Sequence, residues 1–215
     1  MEREYGHVMP TITEEDVVID LGAHIGGFSY YAWRCGSRNI MAYEADPSNY
    51  AIAAKNLNEL AGIRVFHFAV VRSDDRKDEP TWIEEYPWCG PTPEWGVNTG
   101  GAGLFWGDRV TEVPHITLDE IIGETSVRIL KVDIEGSEWP VLYTTKALKY
   151  VQTIIGEYHE LSPEIEKSLG LPIPCTVGYL MRKLGGDGFR HVAVQPSSLP
   201  QRLGGYPRGL FQADR

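Results

Sequence analysis

The chain reads as an open α/β fold of the Rossmann-like kind, a mostly parallel sheet with helices on both faces. Three observations predict it. A β-branched apolar run over residues 16–20 ends in the carboxylate of Asp20 and passes into a turn holding Gly22, Gly26 and Gly27. A second apolar run, 39–44, also ends in an acid, Glu44. Strand-like and helix-like stretches then alternate, as parallel strands joined by crossover helices require. With 215 residues and no proline- or serine-rich linker, residues 1–215 are expected to form one domain with a sizeable core.

The glycine turn leads into a helical stretch at 28–35. Its spacing is not the G-x-G-x-x-G that seats a pyrophosphate on a helix N-terminus. Asp20 instead precedes the first glycine, where a carboxylate accepts hydrogen bonds from a cationic ligand or from the loop's own amides. S-adenosylmethionine suits such a loop better than NAD. Glu44 ends the second strand and suits a bidentate grip on ribose hydroxyls. Pro47 then opens a helix over 48–61, in keeping with the preference for proline in a first turn. Either acid alone is equally explained by capping or helix-dipole work at the sheet edge. The glycine loop between them favours a cofactor. Residues 64–71 alternate and are β-branched or aromatic, a third strand whose end is expected near the adenine.

From 72 to 115 no period is sustained, and the stretch is rich in Pro, Gly and Trp, including Trp82, Trp88, Trp95 and Trp106. Long irregular segments in compact domains are usually functional, so a lid-like insertion that lines the acceptor site is expected. Burial of the tryptophans against the domain explains them equally well. The Asn98-Thr99-Gly100-Gly101-Ala102-Gly103 cluster brings amides near a ligand or is a plain turn. Order returns with Thr117 and Glu120, whose spacing is that of a capping box ahead of a short helix. A fourth strand, 127–133, runs into Ile134-Glu135-Gly136, with Ser137 the candidate N-cap of a helix whose first turn holds Glu138 and Pro140. A fifth strand, 151–158, precedes His159. Helical stretches at 163–169 and 175–184 follow, the latter stopped by Gly185-Gly186-Asp187-Gly188. Segments 189–195 and 209–213 are expected to pair as a closing hairpin. Asp133, Glu135, Glu157 and His159 thus gather at the carboxyl ends of two strands, where open α/β sheets bind ligands.

A net charge of −10 opposes attraction to phosphate backbones, and nucleic acid is not an expected partner. Cys35, Cys89 and Cys175 lie far apart without a CxxC pair, which suits free thiols in a reducing compartment. No apolar run approaches bilayer length, and Met1-Glu2-Arg3-Glu4 is followed by no signal-like core. A soluble, cytoplasmic protein without a membrane partner is expected.

Taken in order, 16–27, Tyr43-Glu44-Ala45-Asp46-Pro47, Thr117-Leu118-Asp119, the 131–138 block Lys131-Val132-Asp133-Ile134-Glu135-Gly136-Ser137-Glu138, and Gly156-Glu157-Tyr158-His159 resemble the FkbM family of S-adenosylmethionine-dependent methyltransferases. The 131–138 block is the most specific of these, and the likeness spans residues 14–160. It implies a class I methyltransferase fold with a seven-stranded, mostly parallel sheet and an antiparallel C-terminal hairpin. It also implies S-adenosyl-L-methionine as donor, S-adenosyl-L-homocysteine as product, and a hydroxylated small-molecule acceptor such as a sugar, polyketide or other natural product. His24 stands where relatives often carry Asn, and either side chain suits the cofactor's carboxylate. The expected cofactor contacts are Asp20, Gly22, Ala23, His24, Gly26, Glu44, Ala45, Ala69, Val70 and Asp133.

Methyl transfer to oxygen is an in-line displacement that needs alignment and removal of the hydroxyl proton. The candidate catalytic residues are His159 and Asp133. An unperturbed imidazole titrates near about 6.5 and outmatches a carboxylate as base. Asp133 would hold the cofactor's ammonium or orient the histidine. The plainer reading is a network in which Glu135 and Glu138 complement a helix N-terminus and His159 bonds nearby backbone. A Mg²⁺ or Mn²⁺ variant built on Asp133, Glu135, Glu157 and His159 is less favoured than metal-free chemistry. Two rival functions differ in class. A base-modifying N-methyltransferase would carry an Asn/Asp-Pro-Pro-aromatic motif after strand four, where this chain has Asp133-Ile134-Glu135-Gly136. A catalytically silent cofactor-binding or scaffolding protein would keep the fold without the chemistry.

Overall fold

The computed structural model describes residues 9–74, 77, 81–85, 109–196 and 208–215. In chain order its elements begin β1 (Val17–Leu21), α1 (Gly27–Arg34), β2 (Asn39–Glu44), α2 (Pro47–Leu57) and β3 (Ile63–His67). Four short strands follow: β4 (Ala69–Val71), β5 (Trp82–Glu85), β6 (Arg109–Glu112) and β7 (His115–Thr117). Then come α3 (Leu118–Ile122), β8 (Val127–Val132), α4 (Glu138–Thr144), β9 (Val151–His159), α5 (Pro163–Leu169), α6 (Val177–Gly186), β10 (His191–Pro196) and β11 (Arg208–Asp214). Seven strands form one sheet in the order β3-β2-β1-β8-β9-β11-β10, all parallel except β11. The expected mostly parallel sheet and closing hairpin are both present.

Side-chain alternation explains the layers. Val17, Ile19 and Leu21 pack with Leu118 and Ile122 of α3, Trp139 and Leu142 of α4, and Leu180 and Leu184 of α6. Val18, Ile40, Ile129 and Ile155 pack with Phe28 and Ala32 of α1 on the opposite face. Because strand side chains repeat every second residue, Asp20, Glu44, Lys131, Glu157 and His159 share that α1 face. Parallel register then sets Asp20 beside Lys131. A row of ionisable groups therefore lines one face at the carboxyl ends of the central strands.

The third strand is shorter than its pattern predicts. It stops at His67 because its neighbour β2 ends: Phe68 N donates to Glu44 O, and beyond that bond β2 offers no partner. Ala69 N turns to Pro114 O, and β4 pairs in parallel with β7 as a separate small sheet. Helix α2 likewise ends at Leu57 rather than 61, and Leu60 N bonds Leu57 O as the chain turns toward β3. The helix expected over 175–184 runs from Val177 to Gly186, so the glycine stop acts two residues later than expected. Thr117 and Glu120 form the expected capping box at α3. Ser137 occupies the N-cap of α4, but its buried hydroxyl finds no partner among the described residues. Glu138 takes the loop amides instead, accepting from Ile134 N and Gly136 N.

Cys35 and Cys175 are free thiols, and Cys89 lies outside the described residues. So do Trp88, Trp95, Trp106 and the 98–103 cluster. Strands β5 and β6 pair antiparallel within the 72–115 stretch. No described helix is long and apolar enough to cross a membrane.

Candidate active site

The glycine loop is shaped by close backbone approach. Gly22 sits at φ +76°, and a Cβ there would meet Asp133 O at 1.8 Å, so the turn passes directly over the end of β8. Gly22 N and Ala23 N both donate to Tyr43 O, tying the loop to β2. His24 takes φ 51°, a left-handed conformation that Asn tolerates better than most side chains. That geometry explains in physical terms why asparagine suits this position. Its amide donates to Glu44 Oε2 at 2.7 Å, while Glu44 Oε1 accepts from Asp46 N at 2.8 Å. Burial raises the Glu44 carboxyl to about 7 despite those two bonds. Gly26 packs against Leu57 of α2, so its missing side chain serves helix packing.

The side chains of the other expected contacts are engaged within the protein. Asp20 is wholly buried, its Oδ2 accepting from Ser29 Oγ at 2.7 Å and its Oδ1 lying 3.2 Å from Lys131 Nζ. The carboxylate therefore works on the loop from beneath, because β1 is central and its α1 face is closed. Ala45 and Ala69 meet in a small apolar cluster with Val71 and Val113, whereas Val70 turns to the main core beside Tyr43.

Lys131 was given no role by sequence reasoning, yet it organises this end of the sheet. Its buried Nζ donates to Gly22 O at 2.6 Å and Leu21 O at 3.2 Å, and lies 3.6 Å from Asp133 Oδ2. Burial opposes its charge, but Asp20 and Asp133 raise its pKa above the ordinary lysine value. The available signal is a lysine two residues after the core residue Ile129, which alternation places on the same buried face of a central strand.

The second group surrounds His159. Nδ1 faces Glu138 Oε1 at 3.2 Å, and Nε2 lies 3.4 Å from Glu135 Oε2 and 3.7 Å from Glu157 Oε1. Nε2 is buried and makes no hydrogen bond among the described residues. Its backbone carbonyl accepts from Trp139 Nε1 at 2.5 Å. Burial works against an imidazolium, but Glu138, Glu135 and Glu157 together push His159 up to about 10. The unperturbed imidazole assumed from sequence is therefore replaced by a held cation. Burial, partly offset by His159, pushes Glu135 up to about 8, with Asp133, Glu138 and Glu157 adding to the rise. Glu157 is raised for the same reasons. The carboxylate within hydrogen-bonding distance of Nδ1 is Glu138, while Asp133 sits beside Lys131. No group of three or more His, Cys, Asp or Glu among the described residues is arranged to hold a metal ion.

A seven-stranded sheet with one reversed strand, a glycine loop over the β1 and β8 ends and an acid closing β2 define a Rossmann-like methyltransferase. The chain belongs to the FkbM methyltransferase domain family, whose model matches residues 20–173. Among solved structures, a Clostridium thermocellum protein provisionally named an rRNA-methylase aligns with TM-score 0.51 at 11% identity, covering 98% of this chain and 94% of that one. An rRNA methylase from Streptococcus thermophilus aligns with TM-score 0.49 at 10% identity, covering 95% and 89%. Precorrin-6y C5,15-methyltransferase from Geobacter metallireducens aligns with TM-score 0.47 at 12% identity, covering 94% and 81%. No curated protein matches the chain.

Proposed function

We propose that this chain is an S-adenosylmethionine-dependent O-methyltransferase acting on a hydroxyl of a small molecule, of the sugar, polyketide or natural-product kind. The observation that carries the reading is the cluster of His159, Glu135 and Glu157 at the ends of β8 and β9, where burial and converging carboxylates raise Glu135 to about 8 and make it a stronger base than an ordinary carboxylate. Bound S-adenosylmethionine would supply the electrophilic methyl group. The residues fit it: Glu44 keeps a lone pair on each oxygen for ribose hydroxyls, the Gly22 turn leaves no side chain over β8, and Asp133 suits an ammonium. In this scheme Glu135 receives the hydroxyl proton. His159 stays charged and holds Glu135 and Glu157 in place.

The acidic cluster and the net charge of −10 also argue for a neutral acceptor over a phosphate-rich one. The test is transfer of labelled methyl to a panel of hydroxylated small molecules set against structured RNA. Methylation of RNA alone would overturn the acceptor class. Failure to transfer to any acceptor, with the cofactor bound, would leave the silent binding protein as the reading.

Glu44→Ala is expected to weaken the cofactor by about 1–3 kcal/mol in calorimetry, through loss of charge-assisted hydrogen bonds. The sign of the pH effect follows from the raised carboxyl. Below about 7 Glu44 takes up a proton and grips hydroxyls less well, so wild-type affinity should fall as the pH drops through about 7. In Glu44→Gln that dependence should vanish. Unchanged affinity in both variants would remove Glu44 from the site.

A further inference from the structure

We propose that Glu138 is the positioning residue of the site, fixing the His159 imidazole so that Nδ1 is engaged and Nε2 is presented to the acceptor. This rests on the methyltransferase reading above and deepens it. Glu138 is fully buried in the first turn of α4. Its Oε1 accepts from Ile134 N at 3.1 Å and faces His159 Nδ1 at 3.2 Å, and its Oε2 accepts from Gly136 N at 2.9 Å. A carboxylate already bonded by two amides acts as acceptor only, so Nδ1 must carry a hydrogen. The next residue, Trp139, donates to the His159 carbonyl. Two consecutive residues of one helix turn therefore grip the ring and the backbone of the same histidine.

What remains of the imidazole is Nε2, buried and without a hydrogen-bond partner among the described residues. Such an atom costs stability unless something else uses it, which points to a ligand hydroxyl. Among the described residues, the charged groups facing the ring are Glu138 from α4, Glu135 from the loop after β8, Glu157 from β9 and, behind Glu157, Arg208 of β11, whose Nε is 3.9 Å from Glu157 Oε1. Of these only Glu138 meets the ring in hydrogen-bonding geometry. Orientation of the ring is thus assigned to one side chain.

The test is nitrogen-15 NMR of the imidazole groups in the full chain, with the His159 signal assigned by its loss in His159→Asn. In the wild type, Nδ1 should stay protonated while Nε2 is the nitrogen that titrates. Glu138→Gln should lower the His159 midpoint by about 1–3 pH units and move the neutral form's hydrogen to Nε2. It should also reduce kcat with little change in KM for S-adenosylmethionine, and Glu138→Asp should restore part of both effects. A wild-type ring with hydrogen on Nε2 and a bare Nδ1 overturns the proposal, as does an unmoved midpoint in Glu138→Gln. Should that variant fail to fold, the wild-type tautomer decides alone. Calorimetry with S-adenosylmethionine keeps the two levels apart: absence of cofactor binding sinks the methyltransferase reading and leaves the tautomer result standing.

Discussion

Replacing His159 with alanine is expected to lower kcat by about 10²–10⁴ while cofactor affinity stays nearly intact, because the ring acts on proton removal from the acceptor. Without the imidazolium, Glu135, Glu138 and Glu157 lose the one cation that His159 brings among them. Glu135 then holds its proton more tightly, and at neutral pH too little of it is ionised to accept another. The wild-type pH profile of kcat should therefore rise with pH and reach half its plateau near about 8, where Glu135 ionises. In His159→Ala the limb should move to higher pH, and part of the lost rate should return in alkaline buffer. A wild-type limb near about 10 would instead make neutral His159 the base. Undiminished turnover by His159→Ala at neutral pH would remove the whole cluster from catalysis and leave alignment of the acceptor as the main source of rate.

Legibility divides along physical lines. Acid-ended apolar runs and glycine spacing are local signals, and they placed β1, β2, β8 and β9 to within a residue or so. Register is not local. Nothing in the 64–71 pattern says that β2 runs out at Glu44, which is why one predicted strand became β3 and β4. The same limit affected the site. The sequence brought Asp133 and His159 to adjoining strand ends, but only the turn through Glu135, at φ 49°, shows Glu138 reaching back to the histidine in place of Asp133. Asp20 read as a ligand contact because an acid before a glycine loop is chemically suited to one. The packing of α1 against β1, which brings its oxygens to Ser29 and Lys131, could not be read from that pattern. Proton affinities were the least readable property, since they depend on which carboxylates converge in space.

Lys131→Met is expected to destabilise the fold by about 3–5 kcal/mol in denaturant unfolding, although methionine fills nearly the same volume. Volume is not what the lysine provides. Its ammonium is the partner of a wholly buried Asp20 and the donor to Leu21 O and Gly22 O. Removing it leaves the Asp20 carboxylate without its cation and Gly22 O without the Nζ donor, while Leu21 O keeps the Asp133 amide, and a buried charge unpaired in this way is costly. The double variant Asp20→Leu with Lys131→Met removes both charges, and replacing a buried ion pair by apolar groups is often neutral. It should therefore recover much of the stability. Cofactor affinity should not recover with it, because Gly22 O would still lack the donor that holds the loop over β8. Recovery of stability without recovery of binding separates the charge-pairing role of Lys131 from its hold on the glycine loop. If Lys131→Met unfolds at the wild-type denaturant concentration and binds S-adenosylmethionine normally, neither role stands.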